Sequence, residues 1–202
     1  MKFDSDTFNN LKKSKKKRII KTAMKEFAEA GFKYASTNRI VKNAGISKGS
    51  LFKYFETKEK LFFYIVEIVI QKIIQELKTF SLPSDLLERI DLILEFSFDF
   101  YEKHPELYRF MISIATEEER EMFNKVLTCF NSDEVDTFKL MNDFYSDIDT
   151  SCLTISKEEL LPALYGIFTG FKLSIHSQMK KGDTDIRILL SLIHISEPTR
   201  PY

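Results

Sequence analysis

A chain of 202 residues with 44% hydrophobic content is long enough for one or two domains with a substantial core. Six Gly, five Pro and long 3.6-residue periodicities argue against β architectures, and Cys129 and Cys152, without CxxC spacing or a nearby His, argue against a disulfide frame or a metal site. The formal charge is zero, yet residues 1 to 60 hold 16 Lys and Arg against 6 Asp and Glu, while residues 61 to 202 hold 14 against 24, as in a nucleic-acid-binding head on a non-binding body. Neither a secretory leader nor an apolar run of about 18 residues stands in the sequence, so a cytoplasmic protein without membrane contact is expected.

In chain order, residues 1 to 13 are polar and expected to be disordered, with Lys12 to Arg18 leading into a first helix. Ile19, Ile20, Ala23, Met24 and Phe27 recur at helical spacing, and Gly31 stops the run. Phe32 and Tyr34 bridge to Ser36, Phe32 as core. Ser36 and Thr37 cap a second helix of about seven residues whose inward face is Ile40, Val41 and Ala44. Gly45 ends it, because glycine accepts the left-handed backbone of a sharp exit. Ser47 caps a third helix with Lys48, Gly49 and Ser50 as its first turn and Leu51, Phe52 and Phe55 as its buried side.

Two short helices joined by a tight turn have helix-turn-helix spacing, which an ordinary surface αα-hairpin shares. The first turn favours the DNA-binding reading. A recognition helix enters the major groove by its N-terminal end, where residues must be small or long and polar. Lys48-Gly49-Ser50 fits that need.

Thr57 caps a long helix from Lys58 that carries Leu61, Phe62, Ile65, Val66, Val69, Ile73 and Leu77 inward and ends before Pro83. At about twenty residues it spans roughly 30 Å, enough to join head to body. Ser84 or Asp85 caps the next helix, which runs to Lys103, and Pro105 opens another with Leu107, Phe110, Met111 and Ile114 inward. Thr116 begins an acid-rich helix carrying Phe123, Val126, Leu127 and Phe130, and 146 to 154 reads as a loop. Ser156 and Glu159 make a capping box, awkwardly close to Pro162. The following helix is apolar on more than one side, with Gly166 and Gly170 four apart; the glycines serve either a second subunit or close packing within one chain. A last helix carries Ile186, Ile188, Leu189 and Leu190, and residues 191–202 break periodicity and read as a non-native tail.

From Arg18 to Leu61 the chain resembles the helix-turn-helix domain of the TetR/AcrR family of bacterial transcription regulators. The residues that carry the resemblance are I-I-K-T-A-M-K-E-F-A-E-A-G-F (19 to 32), I-V-K-N-A-G-I-S-K-G-S-L-F-K-Y-F (40 to 55) and K-E-K-L (58 to 61). Phe52 departs from a common Tyr and Val41 from a usual Ala. The periodicities argue for an all-α protein of about nine helices, and the resemblance divides it. Its expected parts are a three-helix head over 14–60, an effector-binding and dimerisation domain over 61–190, and the tail. The resemblance further implies a homodimer on a double-stranded DNA operator, with repression relieved by a small, often apolar effector.

Carried onto this sequence, the resemblance gives Lys48 and Ser50 as candidates for base edges and Thr37, Tyr54 and Lys58 for phosphates, with Ser47 as cap and Gly49 permitting close approach. Asn38 and Arg39 are further phosphate candidates from the exposed side of the second helix. Phe63, Phe96, Phe100, Tyr108, Phe110, Met111, Phe123, Phe144, Tyr165 and Phe168 are candidates for an apolar effector cavity, although most such side chains are plain core. Gly166, Gly170, Ile186 and Leu189 are the dimer candidates.

No catalytic constellation, P-loop or dinucleotide fingerprint is present, and His104, His176 and His194 are scattered, so neither an enzyme nor a cofactor or metal is expected. The rival readings are an architectural DNA-binding protein without sequence preference and, further off, a small helical enzyme or lipid-binding protein.

Overall fold

The computed structural model describes residues 6–114, together with 121–122, 125–126, 148–149 and positions 151, 154, 156, 159, 160, 163, 166 and 170. The described residues form seven helices and no strand: α1 (Asp6–Asn9), α2 (Lys13–Tyr34), α3 (Thr37–Ala44), α4 (Lys48–Phe55), α5 (Lys58–Leu77), α6 (Leu86–Lys103) and α7 (Pro105–Ile114). Positions 121–122, 125–126, 159–160, 163, 166 and 170 are also helical. The all-α fold expected from periodicity is the fold found. Phe123, Phe144, Tyr165, Phe168, Ile186, Leu189 and the 191–202 tail lie outside the described residues.

The chain groups into two units, Met1–Ser81 with Lys103–Ser146, and Leu82–Glu102 with Asp147–Tyr202. In the first, one core joins Ile19, Ala23 and Phe27 of α2, Ile40 and Ala44 of α3, Leu51 and Phe55 of α4, Leu61, Phe62 and Ile65 of α5 and Phe110 of α7. The ring of Phe62 sits at its centre, 5.1 Å from Phe27, 5.1 Å from Phe32 and 5.4 Å from Phe110. Burying a Phe of this kind stabilises by about 1.5–3 kcal/mol. The expected boundary at 60/61 therefore falls in the first turn of a continuous helix, and α5 and α7 group with the head.

The expectation of disorder over 1 to 13 does not hold for residues 6 to 13. Phe8 on α1 is fully buried, its ring 4.7 Å from Phe55, 5.5 Å from Tyr64 and 5.8 Å from Tyr54, and Leu11 packs against the same core. One buried aromatic is enough to hold a polar turn in place. Lys21 of α2 pairs with Glu106 of α7 at 2.8 Å on the surface of this unit, and His104 Nε2 lies 2.6 Å from Glu76 of α5.

In the second unit α6 begins where expected. Asp85 Oδ1 accepts from the N–H groups of Leu87 and Glu88, so Asp85 rather than Ser84 is the cap. Arg89 is 1% exposed, its Nε donating to Pro83 O, and the rings of Phe96 and Phe100 lie 5.8 Å apart. The capping box is formed: Glu159 N–H donates to Ser156 Oγ and Ser156 N–H to Glu159 Oε2. Gly166 and Gly170 are helical and exposed, and no described atom lies within 4 Å of a Cβ placed on either.

Candidate nucleic-acid interface

The turn between α3 and α4 is built by local chemistry. Gly45 adopts φ 62°, ψ 45°, its N–H donating to Lys42 O while Ile46 N–H donates to Val41 O, the reciprocal pair that closes a helix on a left-handed glycine. Arg18 Nε reaches from α2 to satisfy a further carbonyl, Ala44 O, at 2.8 Å. Ser47 then caps α4, its Oγ accepting from Ser50 N–H at 3.1 Å and standing 2.8 Å from Ser50 Oγ. The result is a rigid exit and re-entry. Lys48 and Gly49 stand exposed on the first turn, and nothing lies within 4 Å of a Cβ placed on Gly49. A groove wall can therefore approach the backbone there.

Behind this surface lies a charged cluster that sequence reasoning missed. Glu26, 8% exposed, accepts Ser36 N–H at 2.8 Å and Arg39 Nε at 2.9 Å, with Arg39 Nη2 closer still. Burial alone would raise the Glu26 carboxyl, but the Arg39 and Ser36 hydrogen bonds and the charges of Arg39 and Lys58 outweigh it and hold it below the usual carboxylate range. The same partnership raises the Arg39 guanidinium. A signal existed: Glu26 sits among Ala23, Met24 and Phe27 on the inward stripe of α2, where an acid requires a partner.

The sequence-derived contacts consequently divide. Thr37 and Asn38 open α3, Asn38 exposed, and Lys48, Gly49 and Ser50 cluster on α4 with Ser47 as their cap. Arg39, expected on phosphate, is instead bound to Glu26 and to Tyr34 O. Lys58 Nζ donates to Phe32 O at 2.7 Å and to Lys33 O and Ala35 O at 3.3 Å, so this cation closes the end of α2 rather than standing open to a phosphate. Tyr54 is only 7% exposed, its ring against Phe8 and Phe55, whereas Phe52 is half-buried. The buried side of α4 is thus Leu51, Tyr54 and Phe55, not Leu51, Phe52 and Phe55.

Of the effector candidates, Tyr108 and Phe110 are fully buried, Phe110 against Phe27 and Phe62, while Phe63 and Met111 are half-buried beside the same core. Phe96 and Phe100 form a ring pair in the second unit. Among the described residues no group of three or more His, Cys, Asp or Glu could hold a metal ion, and no helix is long and apolar enough to cross a membrane.

The family model of the bacterial regulatory proteins of the tetR family matches residues 19–65, the segment that holds this turn and its supporting helices. Residues 19–65 thus carry the helix-turn-helix segment of the tetR family of bacterial regulatory proteins. The chain is 25% identical over 166 residues to the HTH-type transcriptional regulator YdgC of Bacillus subtilis, covering 78% of this chain and 83% of that one. It is 29% identical over 89 residues to the nucleoid occlusion factor SlmA of Mannheimia succiniciproducens, covering 44% of this chain and 41% of that protein. The transcriptional regulator FadR of Bacillus subtilis, solved in complex with stearoyl-CoA, shares the fold with a TM-score of 0.56 at 17% identity, over 89% of this chain and 96% of that one.

Proposed function

We propose that this chain is a homodimeric TetR-family repressor that reads an inverted-repeat operator and is released from it by a small apolar effector. The observation that carries the reading is the exposed first turn of α4, Lys48 and Gly49 held by the Ser47 cap. Lys48 and Ser50 address base edges, Ser50 sharing its hydroxyl with Ser47, and Thr37 and Asn38 hold backbone phosphates. Arg39 and Lys58 act from behind, as the residues that fix α3 and α5 against α2. Tyr54 contributes packing.

Two such heads read successive major-groove faces when about 34 Å apart. The exposed face carrying Gly166 and Gly170 supports a dimer, because small residues let two helices approach closely. An effector that prefers a second arrangement of the body lowers operator affinity by its differential affinity for the two arrangements. The FadR complex with stearoyl-CoA supports a long-chain acyl thioester as the first probe. The test is anisotropy of a labelled operator duplex titrated with protein, then with stearoyl-CoA. Two chains per duplex and ligand-driven release are expected; one chain per duplex would overturn the dimer, and retention at saturating acyl-CoA would overturn this effector class.

The 29% match to a nucleoid occlusion factor favours a second reading, in which the chain occupies many chromosomal sites rather than a few promoters. Genome-wide occupancy separates the two: peaks confined to promoters support the repressor, and dispersed peaks the nucleoid role.

A further inference from the structure

Six of the seven residues from Lys12 to Arg18 are basic, and the seventh is Ser14. The DNA contacts described above use none of them. Arg18 is committed to Ala44 O, Lys16 Nζ donates to Asn9 O at 2.9 Å, and Lys15 Nζ lies 5.9 Å from the centre of the Tyr54 ring on α4. Lys12, Lys13 and Lys17 remain exposed, and among the described residues none of the three has a carboxylate partner. Lys13 and Lys17 are four apart on one helix, where like charges repel. Within the folded chain this run is unfavourable, and an external polyanion would relieve it.

Its position is fixed. Phe8 inserts between Tyr54 and Phe55 of α4 and Tyr64 of α5, and Lys16 ties α2 back to the α1 turn. The segment is therefore held against the recognition helix rather than trailing from it, and its charge is presented beside the surface that reads the groove.

We propose that Lys12, Lys13 and Lys17 form a second, sequence-independent contact to the DNA backbone, and that Phe8 is the positioning residue that holds this basic strip beside α4. The proposal rests on the DNA-binding reading above. It makes the strip a source of affinity and of salt dependence, while base discrimination stays with Lys48 and Ser50.

The experiment is a salt titration of full-length protein on its selected operator and on a scrambled duplex. The variants are Lys12→Ala/Lys13→Ala/Lys17→Ala together, Phe8→Ala and Phe8→Leu. For the triple variant the slope of log K against log salt is expected to become shallower by about 2–3, since each phosphate contact contributes roughly 0.9. Affinity should fall at least tenfold on both duplexes, their ratio unchanged. Phe8→Ala should shift slope and affinity in the same direction, and Phe8→Leu should restore them. An unchanged slope in the triple variant, or a loss confined to the operator, overturns the proposal. Should Phe8→Ala melt below the assay temperature, the triple variant alone decides. Failure of the unaltered protein to bind either duplex would instead remove the DNA-binding reading itself.

Discussion

Glu56 joins α4 to α5 with a backbone that side chains rarely adopt, φ 57° and ψ −48°. Thr57 N–H donates back to Phe55 O across it, which makes a γ-turn of the strained, positive-φ kind. The turn persists because both flanks are determined elsewhere: Glu56 N–H closes α4 on Phe52 O at 2.8 Å, and Thr57 Oγ1 caps α5 through Lys60 N–H at 3.0 Å. Glu56→Gly should release about 1–3 kcal/mol of backbone strain. Against that stand the greater unfolded-state freedom of glycine, about 0.5–1 kcal/mol, and loss of the exposed pair with Lys60, about 0.2–0.5 kcal/mol. The net is a stabilisation of about 1 kcal/mol, or roughly 2–4 °C in Tm for a chain of this size. Glu56→Ala keeps the positive φ and loses only the pair, so it should melt slightly below the parent. Thermal unfolding followed by circular dichroism measures all three proteins. Equal Tm values for the Gly and Ala variants would refute the strain argument.

Three further outcomes follow from the head. Lys48→Ala should cost about 1–3 kcal/mol on the selected operator and relax discrimination at the base pair it addresses, read by competition among single-site operator variants. Lys58→Met removes the donor to three carbonyls at the end of α2 and should lower stability by about 2 kcal/mol, read by urea unfolding, with little change in the salt slope of DNA binding. Glu26 titrates below its ordinary value of 4.5, so its contribution is present above that pH and is lost as pH falls through the lower folded-state value. In Glu26→Gln the acid-side fall in stability below pH 4.5 should therefore be shallower than in the parent, measured as the urea midpoint against pH.

What the sequence made legible was mostly local. The caps at Ser47 and Thr57, the Gly45 exit, the Pro105 start of α7 and the Ser156–Glu159 box each depend on residues within a few positions, and each is formed. What it concealed was set by distant partners. In an eight-residue helix the spacing of Leu51 and Phe55 leaves position 52 or 54 to complete the buried side; Phe8, more than forty residues upstream, fills the space beside Tyr54. Arg39 and Lys58 look available for phosphate until Glu26 and the end of α2 are brought to them by the fold. Long cations in a basic head cannot be assigned to DNA from position alone, because the same side chains are the ones long enough to hold the head together.

Selecting bound duplexes from a random pool at about physiological salt shows whether the exposed turn of α4 reads DNA sequence as one half of a dimer. Enrichment of an inverted repeat whose half-site centres lie about 10 base pairs, one helical turn, apart is expected, with the preference relaxed in Lys48→Ala at the base pair that Lys48 addresses. Recovery of no motif by a folded protein that still retains duplex DNA would contradict that reading.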